Sequence, residues 1–186
     1  MPPPQIILLN GVGSVGKSST AKALQAMSAR PFLHLAMDAF IDMLPVRLIG
    51  DPAVFVFETL QDHGKPSIAI KTGPVFDRVM SGMRLAIAAM AAEGNNIIVD
   101  DVLVLGSADV ADYRAKLAGF DLRVVGLFAH LDILEAREIA RGDRAIGLAR
   151  WQYERVHQGV VYDLEIDTSS ATPVDNARLI ADAFGL

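Results

Sequence analysis

The sequence predicts an α/β fold, a five-stranded and mainly parallel sheet flanked by helices in a three-layer sandwich. Three observations carry that expectation: apolar runs with the length of buried strands, helical patterns between them, and one 186-residue chain that is 52% hydrophobic and 21% charged. Residues 6–9 form a continuous apolar run ending in Asn10-Gly11, as a strand buried on both faces reads. Similar runs recur at 32–37, 96–105 and 122–128, with a weaker alternating one at 160–166. Helical patterns fall at 17–28, 39–44, 76–92, 108–117, 132–141, 144–157 and 174–184. Segment 45–74, marked by Gly50, Pro52, Gly64, Pro66 and Gly73, breaks the alternation and reads either as a substrate-covering insertion or as a long connection. One domain over 1–186 is expected.

Composition excludes several chemistries. With no cysteine there is no disulfide framework, thiolate metal site or cysteine nucleophile. A net charge of -5 gives no basic footprint for nucleic acid or anionic lipid, so neither is an expected partner. The N-terminal stretch has no basic region ahead of its apolar run, and the apolar run at 85–92 falls well short of the ~20 residues that cross a bilayer. A cytoplasmic location is the expectation. His34, His63, His130 and His157 show no ligand spacing, so no histidine metal site is expected. Oligomeric state is not encoded in any of these features.

Gly11-Val12-Gly13-Ser14-Val15-Gly16-Lys17-Ser18 fits G-x-x-x-x-G-K-[ST] and lies between a buried strand and an Ala-rich helix. Phosphate binding needs this arrangement: glycines let backbone N–H groups wrap the anion and a helix N-terminus faces it. Lys17 would reach the β/γ oxygens, and the Ser18 hydroxyl would sit on Mg²⁺. The cradle is expected to run on to Ser19. The same glycines also fit the dinucleotide fingerprint G-x-G-x-x-G, with Asp38 near the distance of a ribose-binding acid. Lys17-Ser18, directly after the third glycine, favours phosphoryl over hydride chemistry. An NAD-binding oxidoreductase and a non-enzymatic nucleotide switch are the alternatives from other classes.

Residues 97–101, Ile-Ile-Val-Asp-Asp, end a strand in two carboxylates, as a segment holding Mg²⁺ near Ser18 would. Asp100 and Asp101 point to opposite faces, so only one can serve the metal, and the pattern leaves open which. Asp38 follows the second strand and reads either as a helix cap or as the carboxylate that accepts a proton from an attacking hydroxyl. Arg137, Arg141 and Arg144 are spaced by four and three, with Gly142-Asp143 as a break where Asp143 would cap the next helix. Such a segment reads as a short helical lid over about 137–150 that brings guanidinium groups to a transferring phosphoryl, or as a solvated helix with surface ion pairs. Arg150 and Arg155 are expected on an exposed face. Asp167 and Thr168, after the last strand, are placed to border a nucleotide base or simply to form a turn.

Taken in order, these segments resemble the chloramphenicol phosphotransferase family of P-loop kinases. The resemblance runs from about residue 6 to 170. It rests on the strand and loop at 7–18, Met37-Asp38-Ala39-Phe40 with the following Ile41-Asp42-Met43-Leu44-Pro45, Gly73-Pro74-x-Phe76, the acidic strand at 97–102, 138–144, and Val156-His157-x-Gly159-x-x-Tyr162-Asp163 ahead of 165–168. It implies a P-loop kinase-like fold and transfer of a phosphoryl group from ATP, with Mg²⁺, to a hydroxyl of a small molecule. The carboxylate matching Asp38 would act as base, with Arg141 and Arg144 on the lid. In the founding activity of the family the acceptor is chloramphenicol; another metabolite or a nucleoside is the alternative. The segment 47–72 diverges most from the family and is expected to border the acceptor.

Overall fold

A computed structural model describes residues 3–186; Met1 and Pro2, which open the stretch read for a targeting signal, lie outside the described residues. In chain order the elements are β1 (Gln5–Asn10), α1 (Lys17–Met27), β2 (Phe32–Ala36), α2 (Met37–Ile41), β3 (Phe55–Asp62), β4 (Lys65–Thr72), α3 (Pro74–Ala92) and β5 (Asn96–Asp101). They continue with α4 (Ser107–Lys116), β6 (Asp121–Phe128), α5 (Leu131–Arg141), α6 (Leu148–Tyr153), β7 (Leu164–Asp167) and α7 (Pro173–Phe184). Five parallel strands form the main sheet in the order β2-β5-β1-β6-β7.

Alternation along the strands feeds two cores, one on each side of the sheet. Ile7, Leu9, Ile98, Val125 and Leu127 pack with Ala21 and Leu24 of α1 and Ala177 and Ile180 of α7. Ile6, Leu8, Ile97, Val99 and Val124 pack on the other side with Met83 and Ile87 of α3 and Val110 and Tyr113 of α4. Both faces are covered, which is why these strands read as unbroken apolar runs. No helix among the described residues is long and apolar enough to cross a membrane.

Several boundaries differ from the expectation. The strand expected at 96–105 ends at Asp101, because the next two amides leave the ladder: Val102 N–H donates to Asp101 Oδ1 and Leu103 N–H to Asn10 Oδ1. The last strand is Leu164–Asp167 rather than 160–166. The helix expected at 39–44 begins at Met37, with Ala36 as its N-cap and no side-chain cap, so Asp38 lies in the first turn and is not a cap. The helix expected at 144–157 shrinks to Leu148–Tyr153. Asp143 does not start it; the N-cap is Gly147, and the free amides there are taken by Glu138, whose carboxylate accepts from Gly147 N–H at 2.7 Å and Ala149 N–H at 2.8 Å.

Segment 45–74 contains a β-hairpin, which the sequence did not suggest. A 3-10 turn at Val46–Leu48 precedes β3 and β4, which pair antiparallel as a sheet of their own. Their two-residue turn is His63-Gly64, with both φ values positive, 49° and 77°. Ile68 N–H of β4 donates to Gly147 O at 2.9 Å, tying the hairpin to the start of α6.

Candidate active site

The loop between β1 and α1 is shaped by its glycines. A Cβ on Gly11 would lie 2.6 Å from Leu127 O, and Gly16 sits at φ +104°, where side chains are strained. Ser14 also has a positive φ, 65°. Val12 and Val15 turn their side chains into the core and so anchor the loop. Lys17 is buried beneath it and donates from Nζ to Gly11 O at 2.8 Å and Val12 O at 3.1 Å. Burial pulls its pKa down, with Arg144 acting in the same sense, against the opposing pull of Asp100.

A cavity of about 360 Å³ opens over this loop. Gly13, Ser14, Gly16, Lys17, Ser18 and Ser19 line it together with Asp38 and Asp100, and Arg137, Arg141 and Arg144 border it from the α5–α6 segment. The parallel register explains the meeting of the acids, since Ala36 of β2 stands beside Asp100 of β5 and Asp38 follows two residues on.

The two neighbouring carboxylates part company. Ser18 Oγ donates to Asp100 Oδ2 at 2.5 Å, and His34 Nε2 lies 3.6 Å from the same oxygen, beyond hydrogen-bond range but close enough for electrostatic attraction. Burial opposes ionisation of Asp100, yet His34, Lys17 and Ser18 outweigh it and hold the carboxyl below its ordinary range. Asp101 is not part of this cluster, contrary to its place among the candidate metal ligands. The pleat turns it to the opposite face, where it accepts from Tyr113 O–H at 2.7 Å and from Val102 N–H at 2.7 Å. There burial pushes its pKa up.

Arg144 donates to Asp38 Oδ2 at 2.6 Å across 106 residues of sequence. Arg141 is exposed and lies 2.8 Å from Asp143 Oδ1. Arg137 donates to Thr168 O at 2.7 Å. Thr168 does not open onto the cavity. It is buried behind the loop, where its hydroxyl donates to Val15 O at 2.9 Å. Asp167 is exposed outside the cavity, and its carboxylate accepts from Ser169 N–H at 2.8 Å. Arg150, expected on an exposed face, is 11% exposed and pairs with Asp62 of the hairpin at 3.2 Å and with Glu135. The sequence marks His34 only as a histidine without ligand spacing and Glu138 only as part of a possible surface ion pair, whereas Glu138 is 2% exposed and caps α6; Gln152 carries no mark at all. Only the register of β2 on β5 could have flagged His34; the other two act through tertiary contacts with no local pattern.

Ser18 and Asp100 supply hard oxygen donors and Lys17 a buried cation, a set that suits Mg²⁺ and a polyphosphate. The strand order argues against the dinucleotide alternative: β5 separates β2 from β1, so Asp38 is not on the strand beside the glycine loop, as a ribose acid of a dinucleotide fold would be.

Sheet order and loop define the class, the P-loop kinase fold. Solved structures agree: the chain matches a sugar kinase of Janibacter sp. (TM-score 0.69, 14% identity, 98% of this chain and 95% of that one). It likewise matches the APS kinase of Mycobacterium tuberculosis in complex with AMPPNP and APS (0.67, 14%, all of both chains). The model of chloramphenicol phosphotransferase-like proteins matches residues 4–185, and the chain belongs to that family. A protein of Mycobacterium tuberculosis H37Rv, provisionally named an O-phosphotransferase, is 32% identical over 190 residues, which span 99% of this chain and 84% of its relative. This protein is a phosphotransferase of the P-loop type.

Proposed function

We propose that the protein transfers the γ-phosphoryl group of ATP to a hydroxyl of a small molecule, with a chloramphenicol-like alcohol as the acceptor to test first. The observation that carries this is the presence of two bonded pairs in the lining of one cavity, Ser18 with Asp100 and Arg144 with Asp38, together with Lys17. Membership of the family supports the same acceptor class.

Each residue then has a task. The loop amides and Lys17 hold the phosphates. Ser18 and Asp100 would hold Mg²⁺, which when bound draws charge from the phosphate oxygens. Asp38 accepts the proton of the attacking hydroxyl, worth about 10²–10⁴ in rate for a positioned base. Arg144 holds the Asp38 carboxylate in place and, with Arg141, faces charge on the transferring group. The segment around 137–150 acts as the lid that excludes water. Arg137 and Asp167 remain the proposed border of the nucleotide base; Thr168, buried behind the loop, is not part of that border and acts through the loop it supports.

The test is ADP release from purified protein with Mg²⁺-ATP, with and without chloramphenicol, followed by mass analysis of the drug. The expected outcome is faster ADP release matched by the gain of one phosphoryl group. Nucleotide binding with the drug unmodified would remove chloramphenicol and move the search to other hydroxylated metabolites and nucleosides.

A further inference from the structure

The phosphate loop is held from behind by a residue that no motif contains. Gln152 of α6 is 3% exposed, and its Oε1 accepts from Gly13 N–H at 2.7 Å. That amide is therefore committed away from any phosphate. It lies directly before Ser14, the loop residue held at positive φ, so the bond fixes the chain at the point where the loop turns. There is little slack here, because a Cβ on Gly13 would already stand 3.2 Å from the same oxygen.

Gln152 is itself placed from α5. Glu138, also buried, uses both carboxylate oxygens to bind the first amides of α6, Gly147 N–H and Ala149 N–H. Glu138 lies next to Arg137 and one turn from the guanidinium of Arg141, both of which border the cavity. Buried hydrogen bonds at the two ends of α6, joined by the backbone of that helix, therefore connect Glu138 of the arginine-bearing helix with Gln152 and Gly13. Each link is buried, where losing an acceptor strands a polar N–H.

We infer that Gln152 is a positioning residue for nucleotide binding: it sets the phosphate loop at Gly13 and, through Glu138, registers that loop against the arginines of α5. This rests on the nucleotide site proposed above. Gln152 touches no phosphate in this arrangement; it acts through the loop.

Gln152→Met keeps the shape of the side chain and removes the acceptor. Calorimetric titration with Mg²⁺-AMPPNP should show about a tenfold rise in Kd for the variant. Hydrogen exchange of the nucleotide-free protein should show faster exchange in the loop peptide covering Gly11 to Ser18, with the core strands β1 and β5 unchanged. Gln152→Glu, which keeps an acceptor oxygen, should restore the loop protection. Glu138→Gln should loosen the same loop peptide, and its effect should not add to that of Gln152→Met. A residue that merely packs α6 would lower the thermal midpoint and leave Kd and loop exchange alone. Unchanged loop exchange, or a Kd within twofold of wild type, overturns the inference. If wild type binds no nucleotide while the exchange difference is present, the nucleotide reading fails and the placement of the loop by Gln152 stands.

Discussion

His157 stacks on Phe128 at 3.9 Å between ring centroids, and its Nδ1 is 2.6 Å from the Tyr162 hydroxyl. Burial, aided by Lys17, pulls the ring pKa from 6.5 down to about 4. Between those values the unfolded chain binds more protons than the folded one, so the stability from this neutral ring is present above about 6.5 and lost as pH falls towards 4. Denaturant unfolding at stepped pH should show the loss, on the order of 1–2 kcal/mol once screening at a partly exposed ring is allowed for. His157→Phe should flatten that slope, and an unaltered slope would assign the acid sensitivity elsewhere. Within the cavity over the loop, Asp38→Asn should lower turnover about 10²-fold or more while nucleotide Kd stays within a few-fold. Equal turnover would remove Asp38 from the chemistry. The residues legible in sequence, Lys17, Ser18 and Asp38, announce themselves by local spacing to a strand end. Gln152 meets Gly13 across 139 positions, and no window along the chain contains that relation. Asp100 and Asp101 were legible as a pair but not as individuals, because facing depends on which side of the pleat meets α1.

Among the elements, every strand of the main sheet showed in the sequence: burial on both faces leaves an apolar run in β1, β5 and β6, while the partly buried edge strand β7 showed only as a weaker alternation. The hairpin did not show. Its strands Phe55–Asp62 and Lys65–Thr72 form a separate two-stranded sheet with most of β3 exposed, so neither burial nor clean alternation marks them. Its turn uses His63-Gly64 in place of the familiar Asn-Gly. The expected helix at 144–157 was overdrawn for the opposite reason: its apolar spacing is real, but Gly147 at φ +104° sets a late start. That glycine also joins hairpin to helix, because a Cβ there would stand 2.6 Å from Pro66 O. Gly147→Ala should therefore cost about 1–3 kcal/mol and speed amide exchange in β4 while α7 keeps its protection. Parallel slowing or no change in β4 would mean the hairpin is held without this contact.

For the whole molecule, ligand binding and stability are linked. If the loop binds nucleotide in the folded state alone, Mg²⁺-ATP at a hundred times its Kd adds about 2.7 kcal/mol, or about 5–10 °C in thermal midpoint for a chain of this size. Lys17→Ala should abolish the shift; a persistent shift would place the nucleotide somewhere other than the loop. The sheet order has a further effect, on how the chain is born. β1 pairs with β5 and β6, and β2 pairs with β5, so none of the first two strands has a sheet partner until residue 96 onward has been made. At ~5–20 residues per second, the emerging chain carries Ile6 to Leu9 unpaired for several seconds before β5 can receive it. The phosphate loop is made well before it is framed, because Thr168, which braces Val15, follows it by 153 residues.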